Sequence, residues 1–504
     1  MILRIDGDVN RYYAQTLCMI FFPGATFGED ETQAEGVAEV HISTYKDPET
    51  GKDMAYASIR LNDKFCEATE HIIYNEEITI ATHASIAAGR ALFAAGKELL
   101  GYTPPWGILT GVRPAKVAAS LLYTGKGIIK TRRIMRDEYF LNQQKAALVT
   151  AVASNEIKLL KKVPKNSCSL YISIPFCPSR CAYCSFVSYT TPRLLGMVDE
   201  YLDQLLIDLE ETVDTINTLG LRIHTVYIGG GTPTTLDASQ LERLLVTVNK
   251  LINVPALAEF TLEAGRPDTI TAEKLATAKK YGVTRVSVNP QTLSDDVLKE
   301  IGRKHTTEQF YQAFQIAKES GIRDINVDLI AGLPGDDFKN FSETMDKIID
   351  LSPTNITVHT FCVKKAADIL KKNSNVYSLA GGDAAKSVSY SQLKAKFAGY
   401  KPYYMYRQKN TVGNLENVGF SIEGHEGLYN VLMMEDVQTI FAVGASAVTK
   451  LVHHKPNGET IIERIFNPKY PYEYLRQRKD SSALDNDQTK STARDRIVDF
   501  YSKF

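Results

Sequence analysis

The sequence predicts an α/β protein: a partial (β/α)6 barrel with an extra α+β region before it and an α+β extension after it. Three observations predict this. Six short β-branched runs recur between residues 169 and 360, amphipathic helical stretches separate them, and the flanking chain lacks that rhythm. Strand and helix in alternation make a parallel sheet with helices outside, and right-handed crossovers curl it into all or part of a barrel.

Residues 1 to about 100 mix strand-like runs ("AEVHIST", "MAYASIRLN") with one helical stretch, "ATHASIAAGRALFAAGKELLG" (81–101). "LCMIFF" (17–22) is apolar, but "MILRIDGDVNRYY" before it is not the basic start of a secretory signal. "YTPPWG" (102–107) breaks the chain and holds its only tryptophan, Trp106. The pattern is then helical to about 163, and "KKVPKNS" (161–167) marks a boundary, so the expected division is 1–165, 166–380 and 381–504. The six runs are "SLYISI" (169–174), "IHTVYI" (223–228), "EFTLEA" (259–264), "TRVSVN" (284–289), "DINVDLI" (324–330) and "NITVHT" (355–360). The last ~125 residues lose the rhythm and include a polar segment, 478–495, that reads as a loop or tail.

A chain of 504 residues exceeds one ordinary domain. Its 44% hydrophobic and 23% charged content is that of a soluble globular protein, and no run approaches the ~20 apolar residues of a membrane span. A net charge of -1 gives no general attraction to nucleic acid, and "KTRRIMR" (130–136), without interleaved aromatics, reads as a solvated helix face. An RNA-modifying role needs a clearer basic tract. Seven cysteines, with Cys18, Cys66, Cys168 and Cys362 scattered, argue against a disulfide framework and for the reducing cytoplasm.

Barrels of this kind carry their chemistry at the C-terminal ends of the strands. "SIPFCPSRCAYCSF" follows the first strand and places Cys177, Cys181 and Cys184 in a C-x3-C-x2-C spacing. "GGGTPT" (229–234) follows the second, Glu263 ends the third, and "NPQ" (289–291) leaves the fourth. Asp328 sits in the otherwise apolar fifth, ahead of "GLPG" (332–335), and "HTFC" (359–362) ends the sixth. Structural cysteines are usually buried singly. Zinc wants four ligands, and the nearest fourth, Cys168, lies before the first strand. A redox pair would be C-x2-C in a thioredoxin-like setting. Three thiolates suit three irons of a 4Fe–4S cluster and leave the fourth open, with zinc, structural and redox roles as alternatives.

Gly229 to Gly231 permit close backbone approach and can turn amides toward an amino acid, the alternative being a plain strand–helix turn. Without G-x-G-x-x-G a dinucleotide fingerprint is excluded. Glu263 can accept from a ribose diol or hold an ammonium. Asp328 would be a costly buried charge unless paired, for which Arg303 stands across the barrel mouth, and a structural ion pair is the alternative. Tyr171 and Tyr183 flank the cysteine loop, and tyrosines at rims also simply pack. His305 and His359 are weaker candidates, since a lone rim histidine is more often scaffolding.

C-x3-C-x2-C after a first strand, with Tyr183 just before the last cysteine, resembles the radical S-adenosylmethionine (SAM) enzymes. "YISIPFCPSRCAYCSF", "YIGGGTPTTL", "EFTLEAGRPDTIT", "VSVNPQTLSDDVLKEIGRKHT" and "INVDLIAGLPGDD" resemble, in order, segments of the oxygen-independent coproporphyrinogen III oxidase family, which also holds haem chaperones. The likeness runs from about 169 to 363. It implies a TIM-like partial barrel and a cluster on Cys177, Cys181 and Cys184, whose open iron takes SAM. One electron to the sulfonium then yields a 5′-deoxyadenosyl radical. By the same resemblance Tyr171, Tyr183, Gly230, Gly231, Thr232, Glu263 and Val448 of "GASAV" contact SAM, while Gln291, Arg303 and Asp328 hold a second SAM molecule. The implied reaction turns two propionates of coproporphyrinogen III into vinyls, with an external electron donor and acceptor. Arg180, Arg193, Arg407 and Lys409 are candidate cations for the propionates of such a tetrapyrrole.

The pattern departs in two places. The oxidases carry a fourth cysteine two residues after the third, where this chain has Phe186, as the haem chaperones do. The chaperones' H-N-x-x-Y haem motif is absent from the comparable "NTVGNLENVGF" (410–420). A longer form among the coproporphyrinogen dehydrogenases, with an extended N-terminal region, is similar in these respects.

Overall fold

A computed structural model describes residues 1–23, 25–27, 37–74, 83–184, 189–362, 382–408, 411–476 and 493–504. Phe186, Lys409 and most of the polar segment 478–495 lie outside the described residues.

The N-terminal region forms its own four-stranded sheet of β1 (Ile2–Asp6), β2 (Glu39–Lys46), β3 (Asp53–Leu61) and β4 (Lys64–His71), in that order. Helix His83–Leu100 packs on β3 and β4, and helix Arg11–Phe21 packs on that helix. The apolar "LCMIFF" supplies the inward side of Arg11–Phe21: Leu17, Cys18, Ile20 and Phe21 are buried, and Asn10 caps the start by accepting the Tyr13 N–H at 3.0 Å. Three further helices follow: Ala115–Tyr123, Ile128–Asp137 and Gln143–Leu160. In the middle one Lys130, Arg132, Arg133 and Arg136 are exposed while Thr131, Ile134 and Met135 are buried.

Among the described residues the second sheet has eleven strands. At its centre lie the six expected from the sequence: β5 (Ser167–Ile174), β6 (Arg222–Gly230), β7 (Glu259–Glu263), β8 (Arg285–Ser287), β9 (Asp324–Ala331) and β10 (Asn355–Thr360). They stand side by side in chain order, all parallel. Crossover helices such as Ala238–Leu251 and Thr307–Glu319 open on capping boxes, Asp237 with Gln240 and Thr306 with Gln309, which satisfy their first N–H groups.

The arc does not close. Beyond β10 come β12 (Glu416–Ser421) and β11 (Lys401–Arg407), each antiparallel to its neighbour before it; beyond β5 come β13 (Ile440–Val443), β14 (Val448–His454) and β15 (Thr460–Phe466). The C-terminal residues thus extend the sheet at both edges, with β13 parallel to β5. Their rhythm is lost in the sequence because antiparallel neighbours need no crossover helix between them.

Within several central strands polar and apolar residues alternate over most of the length. Strand β7 reads Glu-Phe-Thr-Leu-Glu, β9 Asp-Ile-Asn-Val-Asp-Leu-Ile-Ala and β10 Asn-Ile-Thr-Val-His-Thr. Successive side chains face opposite sides. The apolar members Phe260, Leu262, Val327, Leu329, Ile356 and Val358 join the main hydrophobic core, and the polar members meet on the other face. There Thr357 Oγ1 donates to Asn326 Oδ1 at 3.1 Å and Arg285 Nη2 to Asp324 Oδ2 at 3.2 Å. The fifth strand is therefore not an apolar strand with one stray charge, as the sequence reading had it, but the wall of a polar hollow.

The end of the hollow away from the cysteines is closed by helix Leu428–Glu435, whose Leu428 and Tyr429 N–H groups donate to Glu259 at 2.7 and 3.3 Å. A carboxylate on a helix N-terminus is favourable on both hydrogen-bond and dipole grounds. The N-terminal helices meet the opposite sheet edge through Glu416 of β12. That buried carboxylate is ion-paired to Lys145 and accepts Trp106 Nε1–H at 2.9 Å and Gln392 Nε2–H at 2.6 Å.

Arg407, expected among the propionate contacts, is buried at this same junction. Its N–H donates to Val112 O at 2.7 Å, Nη1 donates to Leu109 O at 2.6 Å, and its guanidinium carbon lies 5.2 Å from the Trp106 ring centroid. Burial pushes its guanidinium down to about 10. The N-terminal segment covers it, so it fastens the fold.

Candidate cofactor site at the sheet rim

The three cysteines leave the C-terminal end of β5. Cys177 and Cys181 are buried and Cys184 is half-buried. The loop is tied down by β6, since Gly231 N–H donates to Ile174 O at 2.8 Å and Thr232 N–H to Phe176 O at 2.7 Å. Those two amides brace the cysteine loop, whereas the sequence reading turned the glycine amides toward an amino acid. What the glycines supply is room. A Cβ at Gly231 would stand 2.5 Å from Phe176 O and 3.0 Å from Cys177 Sγ, and Gly230 holds φ at 114°.

Hydrogen-bond donors are aimed at two of the sulfurs. The Thr232 hydroxyl is 3.3 Å from Cys177 Sγ, and Arg266 Nη1 donates toward Cys181 Sγ at 3.7 Å. Such donors suit thiolates. Among the described residues no three His, Cys, Asp or Glu side chains converge on a single metal position. One zinc draws its ligands to within ~2.3 Å of a common centre, whereas cluster thiolates each take a separate iron. Three thiols, two of them met by hydrogen-bond donors, fit three irons of a 4Fe–4S cluster, whereas zinc wants a fourth ligand. Cys168, buried at the start of β5, has its thiol pushed up to about 12 by burial and lies at the far end of the strand. Cys362 follows β10 in a bridge to Thr411.

Glu263 ends β7 beside Gly229. Burial pushes its carboxyl up to about 8; the charge of Asp328 adds to the rise and the Gly230 N–H offsets part of it. A carboxyl held so uncomfortably is ready for an ammonium or a diol. Tyr171 stacks with Tyr227 and Tyr429 at centroid distances of 6.0 and 6.3 Å, lining the hollow below it. Val448 begins β14, half-buried, close after the end of β13 at the same rim.

Gln291 adopts a left-handed backbone, φ 71°, pinned by hydrogen bonds from its N–H to Asp328 O (3.1 Å) and from the Ile330 N–H to its own carbonyl (3.0 Å). Its side-chain Oε1 is buried without a hydrogen-bond partner. A strained residue carrying an unsatisfied polar atom fits a place completed by a ligand.

Arg303 and Asp328 are brought to one neighbourhood, but not as the ion pair expected. Arg303 donates to Asn289 O at 2.7 Å, Gly265 O at 3.2 Å and the Tyr183 hydroxyl at 3.1 Å. Asp328 takes Asn289 Nδ2–H at 2.9 Å and Asn326 Nδ2–H at 2.7 Å, with His359 Nε2 3.8 Å away. Burial raises the Asp328 carboxyl, yet the His359, Asn326 and Thr357 contacts overrule it and hold the group below its ordinary value. His359 in turn has the Tyr406 hydroxyl 3.2 Å from Nδ1. His305 is buried, and burial together with the Arg303 and Arg266 charges pushes it down to about 3, so it is neutral at physiological pH. Arg180 and Arg193 are exposed on and just after the cysteine loop.

Sequence reasoning missed Arg266, Asn289, Asn326 and Tyr406. The first three sat inside motifs already quoted. The alternation along β9 and β10 was the available signal for the polar wall.

Comparison with known proteins agrees with this geometry. Residues 171–348 match the radical SAM superfamily. The oxygen-independent coproporphyrinogen-III oxidase-like protein HemZ of Bacillus subtilis is 37% identical over 378 residues, covering 74% of this chain and 75% of that one. The heme chaperone HemW of the same organism is 38% identical over 198 residues, 39% of this chain and 51% of its own length. The structure of coproporphyrinogen III oxidase (HemN) from Escherichia coli superposes with a TM-score of 0.50 at 21% identity, over 65% of this chain and 72% of that one, a likeness of fold. Superfamily membership implies a 4Fe–4S cluster and SAM. No helix among the described residues is long and apolar enough to cross a membrane. The chain belongs to the radical SAM superfamily and, within it, to the family of oxygen-independent coproporphyrinogen-III oxidase-like proteins.

Proposed function

We propose that this protein oxidatively decarboxylates two propionates of coproporphyrinogen III to vinyl groups without oxygen, giving protoporphyrinogen IX. The observation that carries the reading is the convergence, on one rim, of the braced cysteine loop, Glu263, and the Gln291–Arg303–Asp328 neighbourhood. When bound, the cluster and SAM supply the one-electron chemistry that removes a hydrogen atom from a propionate β-carbon. Cys177, Cys181 and Cys184 hold the cluster. Gly230, Gly231 and Thr232 let SAM approach, Glu263 accepts its ribose or ammonium hydrogens, and Tyr171, Tyr183 and Val448 wall it in. Gln291, Arg303 and Asp328 hold a second SAM. Carbon dioxide leaves, and the remaining electron passes to an external acceptor. Arg180 and Arg193 stand where a propionate carboxylate can meet a cation.

Likeness to the heme chaperones and Phe186 favour a second reading, a haem carrier. Against it, the second part of the segment comparable to their haem motif lies in β12, a buried strand without histidine, whose Asn417 takes the Thr360 N–H at 2.9 Å. Anaerobically reconstituted protein should convert coproporphyrinogen in the presence of SAM, reductant and an electron acceptor. SAM cleavage without protoporphyrinogen overturns the substrate. Stoichiometric haem binding without turnover favours the carrier.

A further inference from the structure

A buried arginine faces the sulfur of Cys181. Just beyond β7 the chain turns through Gly265 into Arg266, whose side chain is 4% exposed. A guanidinium has five N–H donors, and this one makes five contacts. Nε donates to Asp268 Oδ1 at 3.1 Å and Nη2 to Asp268 Oδ2 at 3.2 Å, a two-pronged pair that fixes the plane of the fork. The remaining three reach into the cysteine loop: Nη2 to Ser179 Oγ at 2.9 Å, and Nη1 to Ser179 O at 3.1 Å and Cys181 Sγ at 3.7 Å. The other buried guanidinium nearby, Arg303, spends its hydrogen bonds on Tyr183, Gly265 and Asn289.

We propose that Arg266 is a positioning residue that locks the cysteine loop and raises the cluster's reduction potential through Cys181, with Asp268 setting how much of its charge the sulfur feels. The proposal rests on the cluster reading of the rim. Reduction adds negative charge to a cluster, and part of that charge resides on its sulfurs. A cationic N–H on a thiolate therefore favours the reduced form, and in a water-poor site the effect is not screened away. A brace for Ser179 alone would hold the loop without touching the potential. The two roles are therefore separable by measurement.

The full chain, Arg266→Met, Arg266→Lys and Asp268→Asn are reconstituted anaerobically. Iron and sulfide are counted, and the cluster is titrated potentiometrically without SAM, read by its paramagnetic reduced form. Arg266→Met should shift the potential down and Asp268→Asn should shift it up. Each should change the reduced-to-oxidised ratio at fixed potential about tenfold, which is ~59 mV for one electron. Arg266→Lys, keeping charge but not the fork, should fall between Arg266→Met and the unsubstituted chain and bind iron less completely. If Arg266→Met takes up no iron, Asp268→Asn and Arg266→Lys decide. Loaded variants with unmoved potentials overturn the role of Arg266 alone. An unsubstituted chain that takes up no four-iron cluster overturns the reading of the rim and this proposal with it.

Discussion

Asn289 grips Asp328 with both ends of its amide: Nδ2 donates to the carboxylate at 2.9 Å while Oδ1 accepts the Asp328 backbone N–H at 3.1 Å. The Asn289 carbonyl meanwhile takes Arg303 at 2.7 Å, so one asparagine separates the cation from the anion and fixes both. Neither charge is neutralised by the other. Asn289→Ala removes two hydrogen bonds and strands a backbone N–H, which should cost about 1–3 kcal/mol of stability in urea unfolding. A variant as stable as the parent contradicts the arrangement.

Glu263 carries a pH signature. Its folded carboxyl is raised from an ordinary 4.5 to about 8, so the folded chain binds the proton more tightly than the unfolded one. That contribution is complete below the unfolded value and is lost as pH climbs toward 8. Glu263→Gln abolishes the loss. The melting temperature of the ligand-free variant should gain on the parent steadily from pH 5 to 8, with a ceiling of ~1.4 kcal/mol per pH unit that solvent access to the hollow reduces. A constant difference across that range would show that burial does not control this carboxyl.

The cluster assignment is tested cysteine by cysteine. Alanine at Cys177, Cys181 or Cys184 should leave a folded chain, by circular dichroism, that cannot retain four irons. Cys168→Ala and Cys362→Ala should reconstitute near-normal iron and sulfide, because Cys168 is sealed at the opposite end of β5. Loss of the cluster from Cys362→Ala would mean a fourth thiolate, leaving SAM no open iron.

At the other edge, Lys145→Met strands Glu416 as an unpaired buried charge, which should cost about 3–5 kcal/mol. Lys145→Met with Glu416→Leu should recover part of that, since replacing a buried pair by apolar groups is often near neutral. Chemical denaturation of the two variants measures the difference. Arg407→Ala belongs with this group: it should lower stability through lost contacts to Leu109 and Val112 while leaving substrate affinity alone.

Much of this was legible in the sequence, for identifiable reasons. The six central strands announce themselves because each is a β-branched run between amphipathic helices, and the cysteine triplet because three thiols in eight residues have few uses. Arg407 misled because a cation near a suspected active site looks the same in sequence whether it faces substrate or Trp106; only packing across a separation of 301 positions decides (407 − 106). The Arg303–Asp328 pair misled for a related reason. Opposite charges at one rim invite pairing, but a neutral asparagine of "NPQ" meets both, Asp328 by its side chain and Arg303 by its backbone carbonyl.

The pairing of β13 with β5 has a consequence for how the molecule is made. Ile440 and Phe441 lie beside Ser169 and Leu170, so the first strand of the parallel arc finds its second neighbour only in the last quarter of the chain. During translation at ~5–20 residues per second, that edge stays bare for roughly 15–55 s after β5 has left the ribosome. A bare edge of buried-type residues is a template for wrong partners. The nascent protein spends that interval with its cysteine loop already synthesised and β13 still missing. For this chain, being folded and being loaded with iron are events whose order the cell must manage.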